Sequence, residues 1–329
     1  MVLWNCSNGL VLGFGMLWLA DLMGMMAVGA VTFIETGAND DSNNLEPSAV
    51  GTPEDDILSG TNSSDNLLGG QGDDQIGGYD GQDTIDGSEV DDDLQGADGD
   101  DQLLGADGAD TLHREAGNDA LYGGDDDDTL YGNNSNDTMH GGAGNDALQG
   151  SAENDNLSRD IGADALQGGL DDDTLSGGLG NNSLFGGWGN NLLNEVENDT
   201  AISGTQDIDQ ADFLNGSGGD DTILAGQDDI VTAGAVDDTI VVGDWITEGH
   251  AAQIIDFNAD EDSIVLVWED AAGDEPTIDL APHPTVADLT QILMNSKAVA
   301  DVDTDSDIAL TDIALIAKSL AKTGIIANV

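Results

Sequence analysis

The sequence predicts an all-β solenoid, a stack of short strands and glycine-rich turns with a β-rich cap at its C-terminal end and an apolar helix at its N-terminal end. Three observations predict it. A nine-residue register runs unbroken from Gly51 to Ser203. Glycines recur inside the repeats, which a helix interior does not tolerate. One apolar residue holds the same place in every repeat, as the inward face of a strand requires.

Residues 9 to 34 (GLVLGFGMLWLADLMGMMAVGAVTFI) are almost wholly apolar, and 26 residues are long enough to span a bilayer. Residues 1–34 are therefore read as an apolar helix that contacts a membrane, associates with itself, or packs on the end of the protein. A signal-like segment is the further reading; no basic residue precedes it, and Ala27-Val28-Gly29 is a weak cleavage match. Residues 35–50, rich in Asn, Asp and Ser, read as a linker.

The repeats occupy 51–241. Of the seventeen that run from GTPEDDILS to EVENDTAIS, fourteen have Gly at position 1 and fourteen have Asp at position 6, and position 8 is always Leu, Ile or Met. After an interruption (GTQDIDQADFLN) the pattern resumes as GSGGDDTIL, AGQDDIVT and AGAVDDTIV. Positions 7 to 9 make a minimal strand with its middle side chain inward, and positions 1 to 6 make the turn. From 242 to 329 the glycines thin and β-formers gather (IIDF, then SIVLVW), which reads as a cap over the open last coil. Within it, ILMNSKAVADV reads as a hairpin turning at Asn295-Ser296-Lys297.

Composition supplies the chemistry. With 67 acidic and 5 basic side chains the formal charge is -62, and a compact state needs cations to neutralise it. Nucleic acid is excluded as a partner, because phosphate binding needs clustered Lys and Arg. A lone Cys6 removes disulfides within the chain and Cys-based zinc clusters. Burying one Leu per repeat does not offset the ordering of nine backbones, and stacked coils would align their Asp side chains into rows of like charge. A divalent cation cancels those carboxylates and ties neighbouring turns together. Oxygen ligands in a flexible turn suit Ca²⁺ better than Mg²⁺, which demands a strict octahedron.

The repeat Gly141-Gly142-Ala143-Gly144-Asn145-Asp146-Ala147-Leu148-Gln149 resembles the nonapeptide of RTX (hemolysin-type) calcium-binding proteins. The resemblance covers about 51 to 241, and IIDF…DSIVLVW extends it to about 268. It implies a parallel β-roll with two nonapeptides per coil and Ca²⁺ between turns, held by position 6 carboxylates and turn carbonyls. It also implies export by a type I secretion apparatus that reads an uncleaved C-terminal signal. Carried onto this chain, the ligands are Asp74, Asp83, Asp101, Asp110, Asp119, Asp146 and Asp164, where position 4 is also Gly. Asp92, Asp128, Asp137, Asp155 and Asp173 keep the carboxylate over a Val, Asp, Ser or Glu at position 4, which puts their turn geometry in question. Asp56, Asp65, Asp221 and Asp238 complete the set. Asn182, Asn191 and Thr200 replace the carboxylate and predict weak or vacant sites. Arg114, Arg159 and Glu195 replace the first glycine; the arginines are read as solvated surface rather than as partners of the Asp rows.

A second calcium motif has acids at Asp301, Asp303, Asp305, Asp307 and Asp312, spaced as in an EF-hand loop. Ser306 stands where that loop needs Gly and Asp312 is shorter than the usual Glu, so a turn leading into a strand is the preferred reading. Catalytic signatures are missing: there is no H-E-x-x-H around His113, His140, His250 or His283 and no G-x-S-x-G. The expected function is a non-enzymatic, secreted calcium-binding protein, structural, adhesive or surface-associated, that folds on meeting Ca²⁺ outside the cell. The competing expectation is a secreted enzyme or toxin with its activity in the C-terminal region.

Overall fold

The computed structural model describes residues 49–196, 211–270, 274–303 and 308–318. The N-terminal helix expected at 9–34 and the C-terminal secretion signal lie outside these residues. Among the described residues, no helix is long and apolar enough to cross a membrane.

Each nonapeptide contributes one strand, and successive strands alternate between two facing sheets of 13 and 14 strands. Thr129–Asn134 pairs in parallel with Ala147–Ala152, so Leu130 lies beside Leu148, two repeats on. Two nonapeptides thus make one coil. The alternation of strand side chains turns position 8 inward. Ile85, Leu103, Leu121 and Met139 form one buried column, and Ile76, Leu94, Leu112 and Leu130 the other. His113 and His140, at position 9, face outward: His113 stacks on Tyr131 with centroids 4.6 Å apart, and His140 Nδ1 lies 3.1 Å from Ser158 Oγ.

One repeat departs from the sequence register. Leu184 pairs with Leu214 and Leu193 with Ile223, so the strand Phe213–Gly218 lies beside Ser183–Trp188 at a spacing of 30 residues where the earlier coils have 18. Of EVENDTAIS, only Glu195 and Val196 are among the described residues. Thr200 lies outside the described residues, and Asp212 takes its place in the stack.

The two sheets continue past 241 into the cap. Thr239–Gly243 pairs with Ser263–Trp268, which in turn pairs with Ile313–Ala317, all in parallel. On the other sheet, Ala252–Ile254 pairs with Lys297–Asp303, where an antiparallel meander begins that runs back through Leu289–Met294 to Ile278–Pro282. Its expected hairpin turns at Asn295 (φ 55°) and Ser296 (φ 67°), two successive left-handed residues, as tight hairpins with native twist require. Trp245 is buried under the cap and its indole N–H donates to the Ala225 carbonyl at 3.0 Å. The EF-hand motif is not built as helix–loop–helix. Asp301 and Asp303 sit in a strand, Asp312 Oδ2 accepts from Ala309 N at 2.7 Å, and the following IALIA is a strand; Asp305 and Asp307 lie outside the described residues.

Candidate metal centre

The position 6 residues stack into two internal rows. One runs Asp56, Asp74, Asp92, Asp110, Asp128, Asp146, Asp164, Asn182, Asp212, Asp229. The other runs Asp65, Asp83, Asp101, Asp119, Asp137, Asp155, Asp173, Asn191, Asp221, Asp238, Asp262. Within a row each Oδ1 accepts the backbone N–H of the residue one coil before it, as Asp74 does from Asp56 N at 2.7 Å and Asp128 from Asp110 N at 2.8 Å. Position 5 answers in the opposite direction: Asp100 Oδ1 accepts from Asn118 N at 2.9 Å, and Asn136 Oδ1 from Asn154 N at 2.9 Å.

The second oxygen has no such partner. Oδ2 of Asp74, Asp83, Asp92, Asp101, Asp110, Asp128, Asp146, Asp155, Asp173, Asp221 and Asp238 is buried without a hydrogen-bond donor. A buried carboxylate oxygen in that state is costly unless something positive meets it. The same burial raises the pKa of these carboxyls. Burial, reinforced by the carboxylates above and below, pushes Asp128 and Asp155 up to about 8 and Asp83, Asp92 and Asp238 up to about 7; burial with Asp171 and Asp172 of its own turn pushes Asp173 up to about 7.

What these Oδ2 atoms face, apart from that of Asp238, whose repeat begins with Ala233, is the space in front of the position 1 glycine. A Cβ on Gly69 would lie 2.5 Å from Asp74 Oδ2 and 2.8 Å from the Gly87 carbonyl; on Gly132, 3.0 Å from Asp137 Oδ2 and 2.6 Å from the Gly150 carbonyl. Calcium–oxygen separations are about 2.3–2.6 Å. The position 1 glycines, unlike many at positions 2 and 4, do not have positive φ; they are glycine because the space beside them is required. Among the described residues no three acidic or imidazole side chains converge on one point. The donors that face the space are a position 6 carboxylate oxygen and the carbonyl of the next coil's position 1 residue, hard oxygens that fit Ca²⁺.

The turns over non-glycine position 4 residues keep the same shape. Val90, Asp126, Ser135, Glu153 and Asp171 all take left-handed φ, between 67° and 81°, so Asp92, Asp128, Asp137, Asp155 and Asp173 join their rows like the rest. Asp56 and Asp65 differ. Their Oδ2 atoms accept from the backbone N–H and hydroxyl of Thr52 and Thr61, at 2.5 and 2.9 Å and at 2.6 and 2.9 Å. At Asn182 and Asn191 the amide nitrogen turns to the turn carbonyls instead, each 3.2 Å from Gly177 O and Gly189 O respectively.

Two expectations for position 1 are corrected. Arg114 and Arg159 are not solvated surface: both are buried, Arg114 ion-paired to Asp119 and Asp137 and Arg159 to Asp164. Glu195 is buried too, 3.4 Å from Asn182 Nδ2, and burial holds its carboxyl well above the usual range. The physical reason is that any side chain at position 1 projects between the coils. Sequence reasoning also passed over Asp212, Asp229 and Asp262, which complete the rows past the interruption. Each is an Asp two residues before an inward apolar residue (Leu214, Val231, Ile264), the signal that marks every other row member.

No curated protein matches the chain. The sequence model of the RTX calcium-binding nonapeptide repeat (4 copies) matches residues 50–85, 86–121, 122–157, 160–193 and 209–240, more than half of the chain. Those spans coincide with the stacked coils, and they break at Arg159 and at the interruption where the register slips. On the rows, the turns and this match together, the chain belongs to the RTX calcium-binding nonapeptide repeat family.

Proposed function

We propose that this protein is an extracellular calcium-binding repeat protein, structural, adhesive or surface-associated in role, whose solenoid forms when Ca²⁺ fills the spaces between its turns. The observation that carries the reading is the series of buried Oδ2 atoms, from Asp74 to Asp173 and again at Asp221 and Asp238, that no donor among the described residues satisfies except where an arginine stands beside them. The ligands proposed are the Oδ2 atoms of Asp74, Asp83, Asp92, Asp101, Asp110, Asp128, Asp146, Asp155, Asp173, Asp221 and Asp238 with the facing carbonyls of the position 1 glycines. Asp56 and Asp65, whose Oδ2 atoms a threonine already satisfies, are the weaker members.

Bound Ca²⁺ would supply the positive charge that lets carboxylates one coil apart share a dry interior. The chain does the rest: position 5 and 6 side chains clip consecutive coils, glycine leaves the space, and the apolar columns align the strands. Because the site exists only between assembled coils, binding free energy is folding free energy. Affinity in the range of extracellular calcium modules, about 10⁻⁴–10⁻³ M, would leave the chain unloaded at cytosolic calcium and able to pass a type I secretion apparatus unfolded. Flow dialysis with ⁴⁵Ca²⁺ tests this. Multiple sites filling cooperatively near millimolar calcium are expected; the absence of saturable binding up to about 10 mM would overturn it.

A further inference from the structure

We propose that Arg114 and Arg159 are built-in replacements for Ca²⁺, each putting its guanidinium where an ion would sit and making one level of each carboxylate row independent of metal. The inference rests on the calcium reading above. Its starting point is the space beside position 1, which a glycine leaves open and any longer side chain must enter.

Arg114 enters it completely. Its side chain is fully buried; one terminal nitrogen pairs with Asp119 Oδ2 and the other with Asp137 Oδ2 on the next coil. The same two nitrogens reach backbone oxygens, Nη2 donating to Gly132 O at 2.7 Å and Nη1 to Gly117 O at 3.4 Å. Two of these oxygens, the carboxylate of the same repeat and the carbonyl of the next coil's position 1 residue, are the pair that faces position 1 glycines such as Gly69, Gly105 and Gly132; Arg114 adds the carboxylate of the next coil. A planar guanidinium serves such a set, because its donors fan out to several oxygens while the charge stays permanent.

Arg159 does the same in the other row, with the neighbouring residue altered to match. It pairs with Asp164, and its Nη1 donates to Asn182 Oδ1 at 3.2 Å. The row member of the next coil is the amide Asn182, and the second carboxylate near this guanidinium is that of the buried Glu195, which accepts from Asn182 Nδ2 at 3.4 Å. The loss of the Asp at 182, expected to leave a weak or vacant site, is thus paired with an arginine that fills it. A buried guanidinium without carboxylate partners would be prohibitive, and here each has one or two.

The test is the number of ions bound by the full chain at saturating calcium, read by native mass spectrometry. Arg114→Gly restores the open space between two carboxylates and is expected to bind one Ca²⁺ more than the parent. Arg159→Gly combined with Asn182→Asp is expected to add one likewise. The converse variant, Gly105→Arg, places a guanidinium between Asp110 and Asp128 and is expected to bind one ion fewer. A folded Arg114→Gly protein with an unchanged count would overturn the inference; should that variant not fold even in calcium, an unchanged count in Gly105→Arg would do so. A parent protein that binds no calcium at all would overturn the calcium reading and this inference with it.

Discussion

Glycine carries two different duties in this protein, and the repeat separates them by position. At position 4 it supplies a left-handed backbone, and Val90 shows the cost of doing without it: a β-branched residue held at φ 67°. Val90→Gly is expected to raise the stability of the calcium-loaded protein by about 1 kcal/mol, checked by urea denaturation. At position 1 glycine supplies room, which is why Arg114, Arg159 and Glu195 end up inside. That distinction was not legible in the sequence, where both positions read simply as turn glycines. The carboxylates were legible, because Asp at position 6 recurs two residues before each inward Leu or Ile. Their orphaned second oxygens set a pH dependence. Folded-state values of about 7 to 8 for Asp83, Asp128 and Asp155 lie above the ordinary 3.8, so the metal-free fold binds protons more tightly than the unfolded chain does. Their contribution is fully present below about pH 4 and is lost as pH rises through about 7–8. In chelator, far-UV circular dichroism should therefore show more β structure at about pH 4 than at about pH 8. In calcium, where protons compete for the same oxygens, apparent affinity should fall on acidification. A chelated protein with the same β content across that range would contradict the assignment.

A nonapeptide is too short to fold alone, and its strand gains stability only from the strands two repeats away. The rows make that dependence explicit, since each Asp caps the coil before it while position 5 side chains such as Asp100, Asn118 and Asn136 cap the coil after it. Replacing Asp110 and Asp128 together by Ala removes neighbouring carboxylates of one row, Asp110 N having donated to Asp128 Oδ1 at 2.8 Å. That double variant is expected to raise the calcium midpoint several-fold, whereas Asn182→Ala with Asn191→Ala should leave it within about twofold. Equal effects in a calcium titration would contradict the row assignment. Period, inward column and hairpin turn were all readable from residue spacing. The pairing of Leu184 with Leu214 was not: EVENDTAIS keeps an apolar residue at position 8, so spacing alone did not point to Leu214 as the partner. The cap closes both sheets with Ser263–Trp268, Ile313–Ala317 and the antiparallel meander. A chain ended at residue 243 leaves those edges open and is expected to aggregate in calcium, as light scattering would show.

At the scale of the molecule, a formal charge of -62 is folded into a stack whose interior contains carboxylates as well as leucines. The apolar columns are one side chain wide per strand, so the space between the turns must hold positive charge for the coils to stay together. Two arginines provide it locally; along the rest of the rows the chain has nothing of its own to offer. Composition alone pointed to this, because so much acid without base either remains expanded or binds cations. Where the cations go required the structure, since it depends on which atom of each Asp is already satisfied. The most direct test is far-UV circular dichroism at neutral pH on the purified chain, first in excess chelator with metal absence verified by mass spectrometry, then through a calcium titration. The account predicts a largely unfolded spectrum without metal and a cooperative gain of β structure as calcium is added. A full β spectrum in chelator, unchanged by calcium, would contradict it.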